Sequence, residues 1–142
     1  MKHTIEKLLL TAALLFGSLT VQARAQAPTV TLPSATASQS NLSWTNSANC
    51  TAATPCLINP YRIGGQCPAN LAGTTGWTQL PATAAQATSA TDTTVVAGQT
   101  YSYVVEATFV SGGSPSGPSN CVTVSIPNVP GVPTGLNATV TN

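Results

Sequence analysis

The chain has 142 residues; 5% of them are charged, 42% are hydrophobic, and the formal net charge is +1. Soluble globular chains carry about 25% charged residues, so this composition excludes a charge-rich disordered tail and a nucleic-acid binder working through clustered Lys and Arg. The length fits a single domain.

Residues 1–27 read as a secretory signal peptide. Lys2 and Lys7 supply the positive start, and Leu8 to Val21 form the apolar stretch. Ala23-Arg24-Ala25 or Ala25-Gln26-Ala27 then supplies the small-x-small pattern at which a signal peptidase cuts. The apolar run is shorter than the roughly 20 residues of a comfortable membrane span, so contact with a membrane is expected only during export. No cysteine stands at the cut, and no lipid attachment is indicated.

Beyond the leader, apolar residues alternate with a period of two. Thr29-Val30-Thr31-Leu32 opens the series, with Val30 and Leu32 on one face. Asn41 to Thr45 follows with Leu42 and Trp44. A link from Asn46 to Ile58 carries Cys50 and Cys56, and leads to a short third run with Tyr61 and Ile63. The loop from Gly64 to Gly76 carries Cys67. Trp77 to Leu80 is a weak fourth run and Ser89 to Thr93 a polar fifth. The sixth is the clearest, Tyr101 to Ala107, with Tyr101, Tyr103, Val105 and Ala107 on one face. A Gly/Ser/Pro segment and Cys121 precede the last run, Val122, Val124 and Ile126. Seven short strands between Gly-, Pro- and Asn-rich turns predict an all-β fold, an antiparallel sandwich. Alternation assigns Trp44, Tyr61, Tyr101 and Tyr103 to its core. Trp77 and Phe109 are left as candidate ligand contacts, against the plainer readings of a sheet-edge residue and a lid over the core.

The four cysteines are separated by five, ten and fifty-three residues, unlike the close pairs of zinc sites. An even count in an exported chain predicts two disulfides; the spacing leaves all three connectivities open.

Removal of residues 1–27 takes away His3, both lysines, Arg24 and Glu6, and leaves Arg62, Asp92 and Glu106 as the charged side chains. General acid–base and hydroxyl-nucleophile chemistry lack their usual bases. Two acids are too few for a hard-cation site. The strand order puts Asp92 and Glu106 on different sheets, where each is expected to be a solvated surface carboxylate, and Arg62 a solvated outward cation. The expectation is no enzyme, no cofactor, no metal and no nucleic-acid partner.

Leu42-x-Trp44, Tyr61-x-Ile63, Ala97-Gly98-Gln99-Thr100-Tyr101-x-Tyr103-x-Val105-x-Ala107 and Ser116-Gly117-Pro118-Ser119-Asn120 stand in an order that resembles the fibronectin type III domain in its bacterial extracellular form. The resemblance covers about residues 28–127, ending at Ile126-Pro127, and the Gly-x-Thr-Tyr stretch is its most specific part. It implies an immunoglobulin-like sandwich in which Tyr101 is the corner tyrosine, with its ring in the core and its hydroxyl bonded to nearby backbone. It also implies that Cys50 or Cys56 lies nearer Cys121 than Cys67 does; a bond from Cys67 to Cys121 requires its loop to fold back along the sandwich. Residues 128–142 read as a Pro-rich linker followed, from Pro133, by what looks like the first strand of another repeat. The expected role is a non-catalytic secreted module: a spacer, adhesion or assembly repeat of an extracellular or cell-surface protein, meeting an extracellular protein or polysaccharide. The alternative is a carbohydrate- or polymer-binding accessory module.

Overall fold

The computed structural model describes residues 24–132 and 134–135, with the Leu32 side chain excepted. The apolar stretch of the leader, the inward side chain expected of Leu32 and most of the strand expected after Pro133 fall outside the described residues. Seven strands follow one another: β1 (Thr29–Thr36), β2 (Gln39–Thr45), β3 (Cys56–Gly64), β4 (Thr78–Gln79), β5 (Ser89–Asp92), β6 (Thr100–Phe109) and β7 (Val122–Ser125). They form an antiparallel sandwich of two sheets, ordered β1-β2-β5 and β4-β3-β6-β7. Among the described residues there is no helix.

The core lies between the sheets. Val30, Leu42 and Trp44 from the first sheet meet Cys56, Ile58, Tyr103, Val105, Ala107 and Phe109 from the second. Period-two alternation produces the inner face of β2, where Ser40, Leu42 and Trp44 are buried in turn. Burying an indole strands its N–H unless it finds an acceptor; Trp44 donates to the Ala87 carbonyl at 2.8 Å.

Strand β3 departs from its expected facing. Its register with β6 sets Ile58 against Ala107, Pro60 against Val105 and Arg62 against Tyr103, so the inward positions are the even-numbered ones. Tyr61, expected in the core, is instead half-buried on the outer face together with Ile63. The cause is the length of the strand. It begins at Cys56, and buried Cys56 and Ile58 fix the alternation before Tyr61 is reached. Pro60 fits a central strand because its carbonyl accepts from Leu80 N–H. Its nitrogen therefore points to the short β4 side, away from the β6 ladder.

Tyr101 turns the corner into β6. It packs against the core, and its hydroxyl accepts from Val96 N–H at 3.2 Å. The turn before it requires Gly98 (φ +77°), where a Cβ would also run into the Asn128 side chain.

Ahead of β7 the edge of the second sheet is closed by side chains. Ser116 and Ser119 donate their N–H groups to Ala107 and Val105 carbonyls, and their hydroxyls accept from the N–H groups of the same two residues. Asn120 does the equivalent for β1: its amide accepts from Val30 N–H and donates to Val30 C=O, both at 2.8 Å.

The disulfides are Cys50–Cys56 and Cys67–Cys121. The proximity that the resemblance implied, Cys50 or Cys56 beside Cys121, is therefore incorrect. The segment after β3 folds back over the outer face of β6, where Gly65 C=O accepts from Ser102 Oγ and Cys67 N–H donates to Thr123 Oγ1. That path carries Cys67 to the start of β7.

Candidate functional site

Two polar clusters and one pocket hold Arg62, Asp92, Glu106, Tyr61, Tyr101, Tyr103 and Trp77. The first cluster lies between the sheets. Asp92, at the end of β5, is 2% exposed and receives Arg62 Nη1 (2.9 Å), Tyr103 Oη (3.0 Å), Thr94 N–H (2.9 Å) and Thr94 Oγ1 (2.7 Å). Arg62 also donates to Thr94 Oγ1 and lies over the Tyr101 ring, 4.9 Å from its centroid. Burial works to raise the Asp92 pKa, but the Thr94, Arg62 and Tyr103 donors outweigh it and hold the carboxyl below its ordinary value. Burial, reinforced by the Asp92 charge, pushes the Tyr103 phenol well above its own. Every group here is committed to another, so the cluster ties β3 of one sheet to β5 of the other and leaves no free acid or base.

Glu106 lies on the opposite, outer face of β6, and accepts from Thr74 Oγ1 at 3.2 Å. Tyr61 stands beside both, and its phenol is raised, first by burial and then by the Glu106 charge. Asp92 and Glu106 thus fall on different sheets, Asp92 pointing between them and Glu106 out from the far face of the second. Neither is the solvated surface carboxylate that the sequence predicts, and Arg62 is not a solvated cation. Glu106 is 8% exposed because the 65–77 segment covers it, and Asp92 is inward because β5 presents its even positions to the core.

That same segment forms the pocket, about 320 Å³, lined by Ile63, Pro68, Asn70, Leu71, Ala72, Gly73, Thr75 and Trp77. Trp77 is held at its rim by a tight turn. Its N–H donates to Thr74 C=O, and Gly76 supplies the positive φ that the third position of such a turn requires. Trp77 is half-buried, so one part of the indole packs and the rest is available. Phe109, the other candidate ligand contact, is 9% exposed and belongs to the core cluster. It cannot serve as a stacking platform, because the strand period places it on the inner face with Ala107. The lining is neutral and partly apolar, at the small end of ligand pockets; it suits an uncharged polar ring and offers nothing to an ion. Among the described residues no three His, Cys, Asp or Glu side chains gather as metal ligands would. Sequence reasoning found Trp77 but missed Asn70, Leu71 and Thr75. The available signal was a long Gly-flanked segment carrying one cysteine.

No family model and no curated protein matches the sequence. Solved structures do resemble the fold. A human fibronectin type III domain, from fibronectin type III domain containing protein 3, aligns with a TM-score of 0.60 at 14% identity, covering 83% of this chain and all of that one. An Fn3-like protein from Clostridium thermocellum aligns at 0.50 and 23% identity, covering 77% of this chain and 100% of the other. A β-1,2-glucanase from Parabacteroides distasonis aligns at 0.56 and 16% identity; the match covers 78% of this chain but only 14% of the glucanase. The fold is that of a fibronectin type III domain, stapled by two disulfides.

Proposed function

We propose that this chain is a non-catalytic module of an exported protein, serving as a spacer, adhesion or assembly repeat at or outside the cell surface. One observation carries the reading: Arg62, Asp92, Tyr103, Glu106 and all four cysteines are consumed by the fold, leaving no free acid or thiol among the described residues. Two disulfides and an N-terminal signal peptide fit an oxidising compartment. The partner is an extracellular protein or a polysaccharide. Expression from the full gene, with culture fractions analysed by mass before and after reduction, tests the proposal. Processed protein outside the cytoplasm, taking up four alkyl groups only after reduction, supports it. An unprocessed cytoplasmic chain with free thiols refutes it.

The pocket under residues 68–77 supports a second reading, an accessory module that holds a neutral sugar ring against Trp77. The glucanase in which a similar domain occupies a small share of the chain supplies a setting for such a role. Titration of indole fluorescence with neutral oligosaccharides separates the two readings. A saturable change abolished by Trp77→Ala favours the accessory module, and a flat response across the panel favours the spacer.

A further inference from the structure

Three overlapping stretches fit a signal-peptidase site by their small residues at the first and third positions: Val21-Gln22-Ala23, Ala23-Arg24-Ala25 and Ala25-Gln26-Ala27. The later two carry alanine at both positions, and a cut at the last would remove everything before Pro28. The fold uses residues that those cuts discard. Ala25 is 3% exposed and belongs to the same core cluster as Val30, Leu42 and Trp44. The peptide groups around it are held in place by one side chain. Asn49 Nδ2 donates to Arg24 C=O at 3.0 Å, and Asn49 Oδ1 accepts from Gln26 N–H at 3.1 Å. Arg24 Nε donates to the Pro115 carbonyl, anchoring the segment to the loop before β7. Asn49 thus bridges the peptide groups on either side of Ala25, where Asn120 bridges the N–H and C=O of one residue, and Asn49 itself is braced by Ser47 Oγ at 2.8 Å.

We infer that the export cut falls between Ala23 and Arg24, so that residues 24–27 are the first segment of the folded domain and not the last of the leader. A cut after Ala27 has a second difficulty: its scissile bond is Ala27–Pro28, a tertiary amide whose ring fixes φ and crowds the leaving nitrogen. A cut after Ala25 avoids the proline but removes Ala25 from the core and leaves the Asn49 Nδ2 without its Arg24 acceptor. Only the cut after Ala23 leaves the core, the clasp and the Arg24 contact intact. It also returns one cation to the mature domain, whose charged side chains become Arg24, Arg62, Asp92 and Glu106.

This inference rests on the export reading above, and one experiment distinguishes their failures. The protein exported from the full gene is purified without reductant, and its N-terminal peptide is sequenced by mass spectrometry. An N-terminus at Arg24 is expected. An N-terminus at Gln26 or Pro28 overturns the inference but leaves export standing; a retained Met1 overturns both. Amide exchange supplies a readout independent of the cut. The Gln26 N–H is expected to exchange at least tenfold faster in Asn49→Ala than in the parent protein, with the thermal midpoint lowered by several degrees. Equal exchange at Gln26 in the two proteins would show that the segment is not clasped, and would overturn the inference as well.

Discussion

Replacing Asp92 with alanine removes the acceptor of four hydrogen bonds, from Arg62, Tyr103 and Thr94 twice. What remains is the Arg62 guanidinium with one neutral acceptor, Thr94 Oγ1, and a buried phenol left with the neighbouring Ser40 hydroxyl. Removing one partner of a buried ion pair costs about 3–5 kcal/mol. Arg62 retains 17% exposure of its side chain and its position over Tyr101, which places the expected loss near the lower end, about 3 kcal/mol. In a domain of about this size that lowers the thermal midpoint by about 12–24 °C. Urea titration of the oxidised proteins, fitted with a common slope, measures the difference directly. A double variant sharpens the test. Arg62→Met with Asp92→Leu removes both charges, and should be more stable than Asp92→Ala alone although it alters more groups. A loss under about 1 kcal/mol for Asp92→Ala, the range of exposed pairs, would refute the claim that this carboxylate is a buried anchor.

Acidification gives a related result. Because the folded-state pKa of Asp92 is held below its ordinary value, the unfolded chain binds the proton more readily. Its contribution is complete above the unfolded value and is lost as pH falls through the folded one. Thermal midpoints are therefore expected to be level from about pH 5 to 8 and to fall below about pH 4; a slope across neutrality would contradict this. The disulfides should separate by exposure and by span. Under native conditions mild reductant is expected to expose Cys67 and Cys121 to alkylation before the buried pair Cys50 and Cys56. Because Cys67 and Cys121 are 54 residues apart, replacing both with alanine should cost about 4 kcal/mol in a urea titration by loop-closure entropy. Ser119→Ala leaves the buried Val105 N–H without its acceptor, and should cost about 1–3 kcal/mol by the same assay. A neutral result would mean that water takes the place of the hydroxyl.

Strand positions were legible in the sequence because a half-buried strand must alternate, and Leu42-Ser43-Trp44 and Tyr101 to Ala107 do so. The corner was legible because Gly98 and Tyr101 each meet a specific backbone need. Strand β3 misled because Tyr61 and Ile63 alternate as well as Ile58 and Pro60 do, and period alone does not say which set faces inward. The positions of the carboxylates were hidden for a different reason. Composition shows that Asp92 and Glu106 are rare but not that partners exist for them. Thr94 lies just past the fifth run and Tyr103 reads as an ordinary core residue until the fold brings them to Asp92. The pocket depends on a long fold-back of the Cys67 segment, and contacts of that range leave no periodic trace.

The clasp of Asn120 on Val30 has a consequence for how copies of this domain behave together. A sheet edge with free N–H and C=O groups is a template for another chain, and charged side chains, lysine especially, are one common guard. Here the two lysines, Lys2 and Lys7, precede residue 24, and near-zero net charge promotes association. The guard is geometric instead. Strand β4 has two residues and β7 four, Pro33 interrupts β1, and the outward groups of Val30 are already occupied by Asn120. Protection of this kind is indifferent to ionic strength. It rests on one uncharged amide, and loss of the Asn120 side chain would free the Val30 N–H and C=O on the outer edge of the first sheet.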